Sequence, residues 1–444
     1  MFNPTILVNS LQQIPSNKKI WIAYSGGLDS HVLLHALTEL AQQSNAPIQH
    51  NQLNAIHINH GWNKNAEQWS NHCGEICAKL NIPYKTIQVN ARHETGESPE
   101  ACARAARYAA FAQFIQPGDY LLTAHHQDDQ AETLLVQLFR GAGVTGLAAM
   151  PELAAFAQGW HLRPLLNINR ADLLKYAEQH ELKWIEDDSN NNEKYTRNYL
   201  RHNTLKDLQK RWPNVSATLT RVALHCAEAA ELIALFAEED LKNTQGSLPN
   251  TLSCQALLKL NPARQKNILR HWIKILNFPT PSTVQLHHIL QDILHSKDDA
   301  CPKVAWDNIE IRRYQDNLFA LVNEQQHDAK KIYEWDLHSP LNIPNIGVLT
   351  AALTNNPGVQ KDILSKGKLT IRFRQSGERC HPAGRQGSHP LKKLFQEWQV
   401  PPWERDQIPL LYCNDKLVAV IGYCICAPFQ AKAGQPSYTI AICQ

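Results

Sequence analysis

The residues most able to do chemistry in this sequence gather at three places. The first is the run Ser25-Gly26-Gly27-Leu28-Asp29-Ser30. Paired glycines let a backbone turn sharply and approach an anion closely, so that successive N–H groups can cradle phosphate oxygens. Ser25 and Ser30 add hydroxyl donors and Asp29 a carboxylate. No Walker-type lysine follows the glycines, which excludes a P-loop kinase or GTPase. The second place is Leu122-Thr123-Ala124-His125-His126-Gln127-Asp128-Asp129-Gln130-Ala131-Glu132-Thr133. On a helix, Glu132 lies four residues after Asp128 and three after Asp129, so one face can gather the carboxylates. Such a group holds Mg²⁺, or grips and deprotonates an amine. The spacing does not decide among the three. Acids in a first helical turn also satisfy the dipole, but that role needs no pair of preceding histidines. The third resource is arginine: Arg104 with Arg107, and Arg197 with Arg201, sit at helical spacings that let each pair address one anionic ligand.

Elements must hold these groups in place. The apolar run Ile20-Trp21-Ile22-Ala23-Tyr24 ends at the glycine pair, and Val32, Leu33, Ala36, Leu37 and Leu40 then recur at helical spacing. Residues 53–59, 84–89 and 120–124 read as further strands, and 66–80, 99–114 and 128–139 as helices. Ser98 is an expected N-cap, with Pro99 at the first helical position. Strands alternating with helices of this length imply a parallel sheet covered on both faces, with ligands beyond the carboxyl ends of its strands. The middle of the chain carries helical patterns at 221–241, 256–276 and 283–294. A strand pair at 308–314 and 318–323 follows, folded about Gln315-Asp316-Asn317. After Pro340 and Pro344 the chain turns β-rich, at 369–374, 410–412, 417–423 and 438–442.

The 444 residues exceed what one core usually serves, and 43% hydrophobic with 19% charged residues is a globular composition. No apolar run reaches the about 18 residues that span a bilayer, and the start lacks a signal-peptide pattern, so a cytoplasmic protein is expected. The eleven cysteines include no C-x-x-C pair, which indicates neither a disulfide framework nor a zinc knuckle. Cys73 and Cys77 read as half-buried thiols. Net charge is only +3, yet residues 361–405 hold ten lysines and arginines against four acids. Arg372, Arg374, Arg379, Lys392 and Lys393 lie in that stretch, with Phe395 and Trp398 as rings on which bases could stack. A local surplus of this kind suits an anionic partner such as RNA.

The loop resembles the PP-loop of the N-type ATP pyrophosphatases, which split ATP into AMP and pyrophosphate and adenylate a carbonyl oxygen. The order of motifs narrows this. After the loop come His57-Ile58-Asn59-His60-Gly61, Ala103-Arg104 with Arg107-Tyr108, the histidine–carboxylate cluster, Arg163-Pro164-Leu165-Leu166, Asp187-Asp188-Ser189-Asn190 and Arg197-Asn198 with Arg201. Near the carboxyl end come Arg372, Arg374, Gly377, Arg379 and Leu391-Lys392-Lys393-Leu394-Phe395-Gln396-Glu397. Together they resemble the tRNA(Ile)-lysidine synthetase family. Trp62-Asn63 and His31 depart from what is common there without removing a group the chemistry needs.

The resemblance implies an α/β fold: a parallel, five-stranded, Rossmann-like PP-loop domain (1–218), a mainly helical domain (219–330) and a small, basic α+β carboxyl-terminal domain (345–444). It implies an ATP- and Mg²⁺-dependent ligase joining free L-lysine to the wobble cytidine of tRNA(Ile) with a CAU anticodon. The cytidine would pass through an adenylated intermediate, and decoding would switch from AUG to AUA. Asp29, Asp128, Asp129, Glu132, Arg104 and Arg107 would be catalytic, with Asp29 and Asp129 on the metal. Ser25 to Ser30, His57 and His125 would surround the nucleotide. Arg197, Arg201, Arg372, Arg374, Arg379, Lys392 and Lys393 would meet the substrates. A homodimer is admitted as an assembly and no membrane partner is expected. The rivals are a tRNA thiolation enzyme, a non-catalytic RNA-binding protein on a relic nucleotide fold and an amidotransferase-type synthetase. The first would want paired cysteines, the second a degraded loop, and the third a glutaminase domain.

Overall fold

The computed structural model describes residues 2–59, 66–89, 99–186, 193–297, 301–323, 328–432 and 434–443. His60, Gly61, Trp62, Asn63, Ser98 and Asp187 to Asn190 fall outside the described residues. The chain forms two compact units, Met1–Ile233 and Ala234–Gln444.

In the first unit β1 (Ile20–Ala23), β2 (Leu53–Asn59), β3 (Tyr84–Gln88), β4 (Tyr120–Leu122), β5 (Leu153–Phe156) and β6 (Gly159–Leu162) form one sheet. Its order is β3-β2-β1-β4-β6-β5. Five strands run parallel, as expected, and β5 adds an antiparallel edge through its hairpin with β6. The order reverses beside β1, so the crevice for a ligand opens at the carboxyl ends of β1 and β4. The helix Leu28–Ala41 buries ten of its fourteen residues, among them Val32, Leu33, Leu37 and Leu40. Against it pack Leu173, Tyr176 and Ala177 of the helix Arg170–Gln179. Burying such side chains stabilises by about 1.5–3 kcal/mol each. That packing fixes the direction in which the first turn of Leu28–Ala41 points.

Two glycines are required by the geometry. Gly26 has φ +85°, a region costly for side chains, and an added Cβ would meet Cys73 Sγ and Ile185 Cδ1 at 2.9 Å. Gly159 lets β6 lie against the chain at Asp119, where a Cβ would come 2.1 Å from the carbonyl oxygen.

The second unit opens with the four-stranded antiparallel order β7-β10-β9-β8, made of β7 (Leu252–Ser253), β8 (Lys303–Trp306), β9 (Ile309–Tyr314) and β10 (Asn317–Val322). The helices Cys254–Leu258, Pro262–Ile275 and Thr283–His288 bury Leu257, Ile268, Trp272 and Leu286 in one core with this sheet. The helical middle thus holds a four-stranded sheet, in which the expected strand pair, β9 and β10, is extended by β7 and β8. Further along come β11 (Tyr333–Glu334), β12 (Leu341–Ile343), β13 (Gly347–Thr354), β14 (Val359–Gln360), β15 (Leu369–Arg372), β16 (Arg379–Cys380), β17 (His389–Pro390), β18 (Leu410–Cys413), β19 (Lys416–Val420), β20 (Cys424–Ile425) and β21 (Ser437–Cys443). They form sheets β11-β15-β18-β19-β20 and β12-β13-β21-β14, with β16 and β17 as a short ribbon. Phe395 is fully buried beneath the helix Leu391–Glu397 instead of facing solvent, because Leu391, Leu394 and Phe395 occupy the face turned to the core. Of the two expected stacking rings only Trp398 stays partly accessible, stacked on Tyr423 at 5.2 Å.

Candidate active site

The glycine loop joins β1 to Leu28–Ala41 and is braced from within. The Ser30 hydroxyl accepts from the Ser25 amide at 3.2 Å, donates to the Gly27 carbonyl at 3.0 Å and lies 3.0 Å from Ser25 Oγ. The Ile185 amide donates to the Gly26 carbonyl at 2.9 Å, fastening the loop from a distant segment. Gly27 is the N-cap, so the amides of Leu28 and Asp29 lie in a first turn whose N–H groups have no intrahelical acceptor. Free amides and the positive end of the dipole there suit an anionic phosphate.

Asp29 faces the end of β4. His126 Nε2 stands 3.6 Å from Asp29 Oδ2 and 3.5 Å from Asp129 Oδ2, and Arg170 Nε is 3.9 Å from Asp29 Oδ1. His126 also caps the helix Gln127–Phe139: its Nδ1 accepts from the Asp128 amide, while Asp129 accepts from the His126 amide. Burial pulls the His126 ring down, but the carboxylates of Asp129, Asp29 and Asp128 outweigh it and push the pKa up to about 9. Nε2, the ring nitrogen toward the two carboxylates, carries a proton in either charge state of the ring. Burial raises Asp129 and is outweighed by His126, His125 and Arg201, which hold it below the usual carboxylate range.

Behind this pair, Arg201 clamps two acids. Its Nε donates to Glu132 Oε1 at 2.6 Å, and one terminal nitrogen donates to Glu132 Oε2 at 3.1 Å and Asp129 Oδ1 at 2.9 Å. Glu132 is fully buried, and burial raises its pKa against the pull of Arg201. Arg201 belongs to a π-helical turn, Leu200–Thr204, and Arg197, one turn earlier, donates to Thr133 Oγ1 at 3.3 Å. Asp128 is half-buried in the first turn beside them.

A second chain of bonds orders His125. An Arg163 terminal nitrogen donates to His161 Nδ1 at 2.9 Å. A guanidinium only donates, so His161 carries its proton on Nε2. That proton goes to Thr123 Oγ1 at 2.8 Å, and the Thr123 hydroxyl donates to His125 Nδ1 at 2.7 Å. His125 is thereby left with Nε2–H as its donor. Burial pushes His125 down to about 4 and His161 to about 3, so both rings are neutral. Arg104, stacked 4.9 Å from the Tyr108 ring, adds positive charge near both. His57 is buried under the loop with Nδ1 2.9 Å from the Tyr24 carbonyl, and Arg107 lies on its side of the cluster.

Asp29, Asp128, Asp129, Glu132, Arg197, Arg201 and His125 therefore meet at the ends of β1 and β4. Reading residues alone missed His126 as a bridge between two carboxylates, Arg170 beside Asp29, and the set Thr123, His161 and Arg163. His126 stood in the quoted cluster, and Arg163 in the Arg-Pro-Leu-Leu run. Thr123 stood in that cluster as well, whereas Arg170 and His161 gave no signal, because Asp29 and Thr123 are distant from them in sequence. Cys73 and Cys77 are fully buried and burial pushes both thiols up to about 12, which makes them inert core residues.

In the second unit Arg372 is stacked 4.7 Å from the Tyr412 ring and bonds Asp415 and the Asn414 carbonyl. Arg374 bonds Asp406, and Arg379 the Ser388 carbonyl. Lys392 and Lys393 are exposed.

The chain was compared with known proteins. A PP-loop domain family matches residues 4–208, the TilS substrate binding domain 252–319 and the TilS substrate C-terminal domain 369–442. The tRNA(Ile)-lysidine synthase of Coxiella burnetii (strain RSA 493 / Nine Mile phase I) is 46% identical over 443 residues, covering 100% of this chain and 97% of that protein. The same-named protein of Methylococcus capsulatus is 42% identical over 402 residues, 90% of each chain. That of Legionella pneumophila (strain Paris) is 39% identical over 425 residues, 96% of each.

Proposed function

The chain belongs to the tRNA(Ile)-lysidine synthase family, and from that premise we propose how its own residues divide the work. It is an ATP-dependent ligase that forms lysidine on tRNA(Ile). The observation that supports the division is the meeting of the braced glycine loop with the Asp29–His126–Asp129 group at one sheet end.

A ring carbonyl oxygen is a poor leaving group, so the cytidine is adenylated first and pyrophosphate departs. The loop amides and the dipole of Leu28–Ala41 hold the phosphates, with Arg104 and Arg107 neutralising charge from the neighbouring helix. Asp29 and Asp129 would hold Mg²⁺. The fit rests on Asp29 Oδ1, which is buried and meets no hydrogen-bond donor among the described residues. Bound there, the ion supplies positive charge to the phosphates. His125 Nε2–H is a neutral donor set beside them.

Lysine then attacks the activated carbon and AMP leaves. Its amine has a pKa of about 10.4 and must lose a proton to act. An amino-acid zwitterion needs both signs close together, and Arg201 with Asp128, Asp129 and Glu132 offers both within one small site. The basic domain at 345–444 binds the tRNA through Arg372, Arg374, Arg379, Lys392 and Lys393, the middle domain at 219–330 supports it, and the work takes place in the cytoplasm.

The test is incorporation of labelled lysine into unmodified tRNA(Ile) with ATP. Incorporation is expected in the native chain and lost in Asp29→Ala; its survival in that variant would overturn the assignment of the loop. Arg372 and Arg374 pair with acids that are 94% and 64% exposed, which RNA phosphates can displace. Replacing both with alanine should weaken tRNA binding and lower its salt slope by about 2, with ATP affinity unchanged. A loss of ATP affinity would place those arginines in the nucleotide site.

A further inference from the structure

Three cysteines far apart in sequence meet in the carboxyl-terminal part of the chain. Cys380 ends β16, Cys424 begins β20 and Cys426 follows that strand. The backbone enforces the meeting: Pro382 bridges Cys426, and the Ala383 amide donates to the Ile425 carbonyl at 2.9 Å. Cys380 Sγ then lies 3.1 Å from Cys426 Sγ and 3.6 Å from Cys424 Sγ. The nearer pair needs only about 1 Å of approach to reach disulfide length. All three are free thiols; Cys380 and Cys426 are buried, and Cys424 is half-buried. They do not surround a common point. Among the described residues the one group of ligand atoms mutually within 4.8 Å is His35, Glu39 and His180. The arrangement suits sulfur–sulfur chemistry centred on Cys380 more than metal ligation.

We propose that Cys380, Cys424 and Cys426 form a thiol site reactive toward peroxides, whose oxidised product is a buried Cys380–Cys426 disulfide. Cys424 is the sulfur nearest to solvent, and the Cys380 thiol donates toward it, which favours its anionic form. The Cys424 thiolate attacks one oxygen of hydrogen peroxide. An S–O bond forms, the O–O bond breaks, and hydroxide leaves and is protonated to water; sulfur has lost two electrons as a sulfenic acid. The Cys380 sulfur attacks that sulfur, the S–O bond breaks, and the Cys380 thiol proton passes to the departing hydroxide, which leaves as a second water. Cys426 then displaces Cys424 from Cys380 by exchange, with no further change of oxidation state. In sum two thiols and one peroxide give one disulfide and two waters. Burial of Cys380 and Cys426 hides this product from bulk reductant.

The test is to expose the folded, full-length chain to hydrogen peroxide, block remaining thiols, digest without reductant and map linked peptides. The Cys380 peptide should appear joined to the peptide carrying Cys424 and Cys426, with fragmentation placing the bond on Cys426, and dithiothreitol should release it. Cys413, buried in β18, should stay a thiol, alkylated in full once the chain is denatured. Cys426→Ser should shift the bond to Cys424, and Cys380→Ser should abolish it. The proposal fails if Cys380 remains a thiol while the exposed Cys301 and Cys443 oxidise, or if it is found linked elsewhere. That mapping in the native chain decides the matter even if a variant does not fold.

Discussion

Thr123 links Arg163 to His125, because its hydroxyl accepts from His161 and has its one proton to donate to His125. Thr123→Val keeps the shape and loses both bonds, whereas Thr123→Ser keeps them. The valine variant should lower kcat/KM for ATP about tenfold, the worth of a hydrogen bond of roughly 1.4 kcal/mol, with the serine variant near normal. Equal activities would show that His125 needs no such ordering. Arg201 carries a different burden. Without it a carboxylate with no exposed surface is left uncompensated. Arg201→Ala should therefore cost about 3 kcal/mol in urea unfolding, the lower end for a buried pair because the arginine itself is 36% exposed. Adding Glu132→Gln should recover part of that loss; a double variant no better than Arg201→Ala would deny the coupling.

Among the elements, the hairpin of β5 and β6 is the most exacting. Gly159→Ala would drive a methyl into the Asp119 carbonyl and against Ile115 Cγ2, at 2.1 and 2.8 Å, so β6 must leave the sheet or the chain at Asp119 must move. A loss of about 2 kcal/mol or more is expected, read as a fall in the thermal midpoint, and an unchanged midpoint would mean the backbone there yields freely. That hairpin was not legible in the sequence. Its turn is Ala157-Gln158, with Ala157 at φ +51°, and neither residue announces a turn as Asn-Gly would. The other four parallel strands were legible as short runs between helical patterns, three of them apolar and closed by a polar or glycine-rich end. The cluster at Asp128 to Glu132 was legible too, since helical spacing alone brings those acids together. What spacing could not show is that Arg201 takes up both oxygens of Glu132, a contact across 69 residues. A single helix over 256–276 was expected, but Asn261 caps a new helix at Pro262, and the first stops at Leu258. The basic surplus at 361–405 was plain from composition, yet Phe395 turned inward because its helix has only one apolar face.

At the scale of the whole molecule these details add up to a dependence on pH. In the first unit burial pushes down the pKa values of five histidines, His31 and His125 to about 4, His161 to about 3, and His35 and His57 in the same direction. Each ring is neutral in the folded chain and takes a proton, once unfolded, below about 6.5. The unfolded state therefore binds more protons, and stability must fall as pH drops from about 6.5 toward 4, by up to about 1.4 kcal/mol per pH unit for each ring. Above about 6.5 these five rings contribute no slope. Hydrogen exchange of the β1 amides under mild urea would report this for the first unit alone. Between pH 7.5 and 6.5 the exchange free energy should rise as His126, raised to about 9, takes its proton first in the folded chain, and from 6.5 to 5 it should decline. Carboxylates such as Asp129, held low in the folded state, add their own loss only at lower pH. His161→Gln separates the two sources, because it removes one titrating ring and keeps an amide able to donate to Thr123. Its slope between pH 6.5 and 5 should be shallower than that of the native chain by one ring's share. An identical slope would mean that His161 takes up its proton in the folded state, and the ordering of His125 through Thr123 would then fail with it.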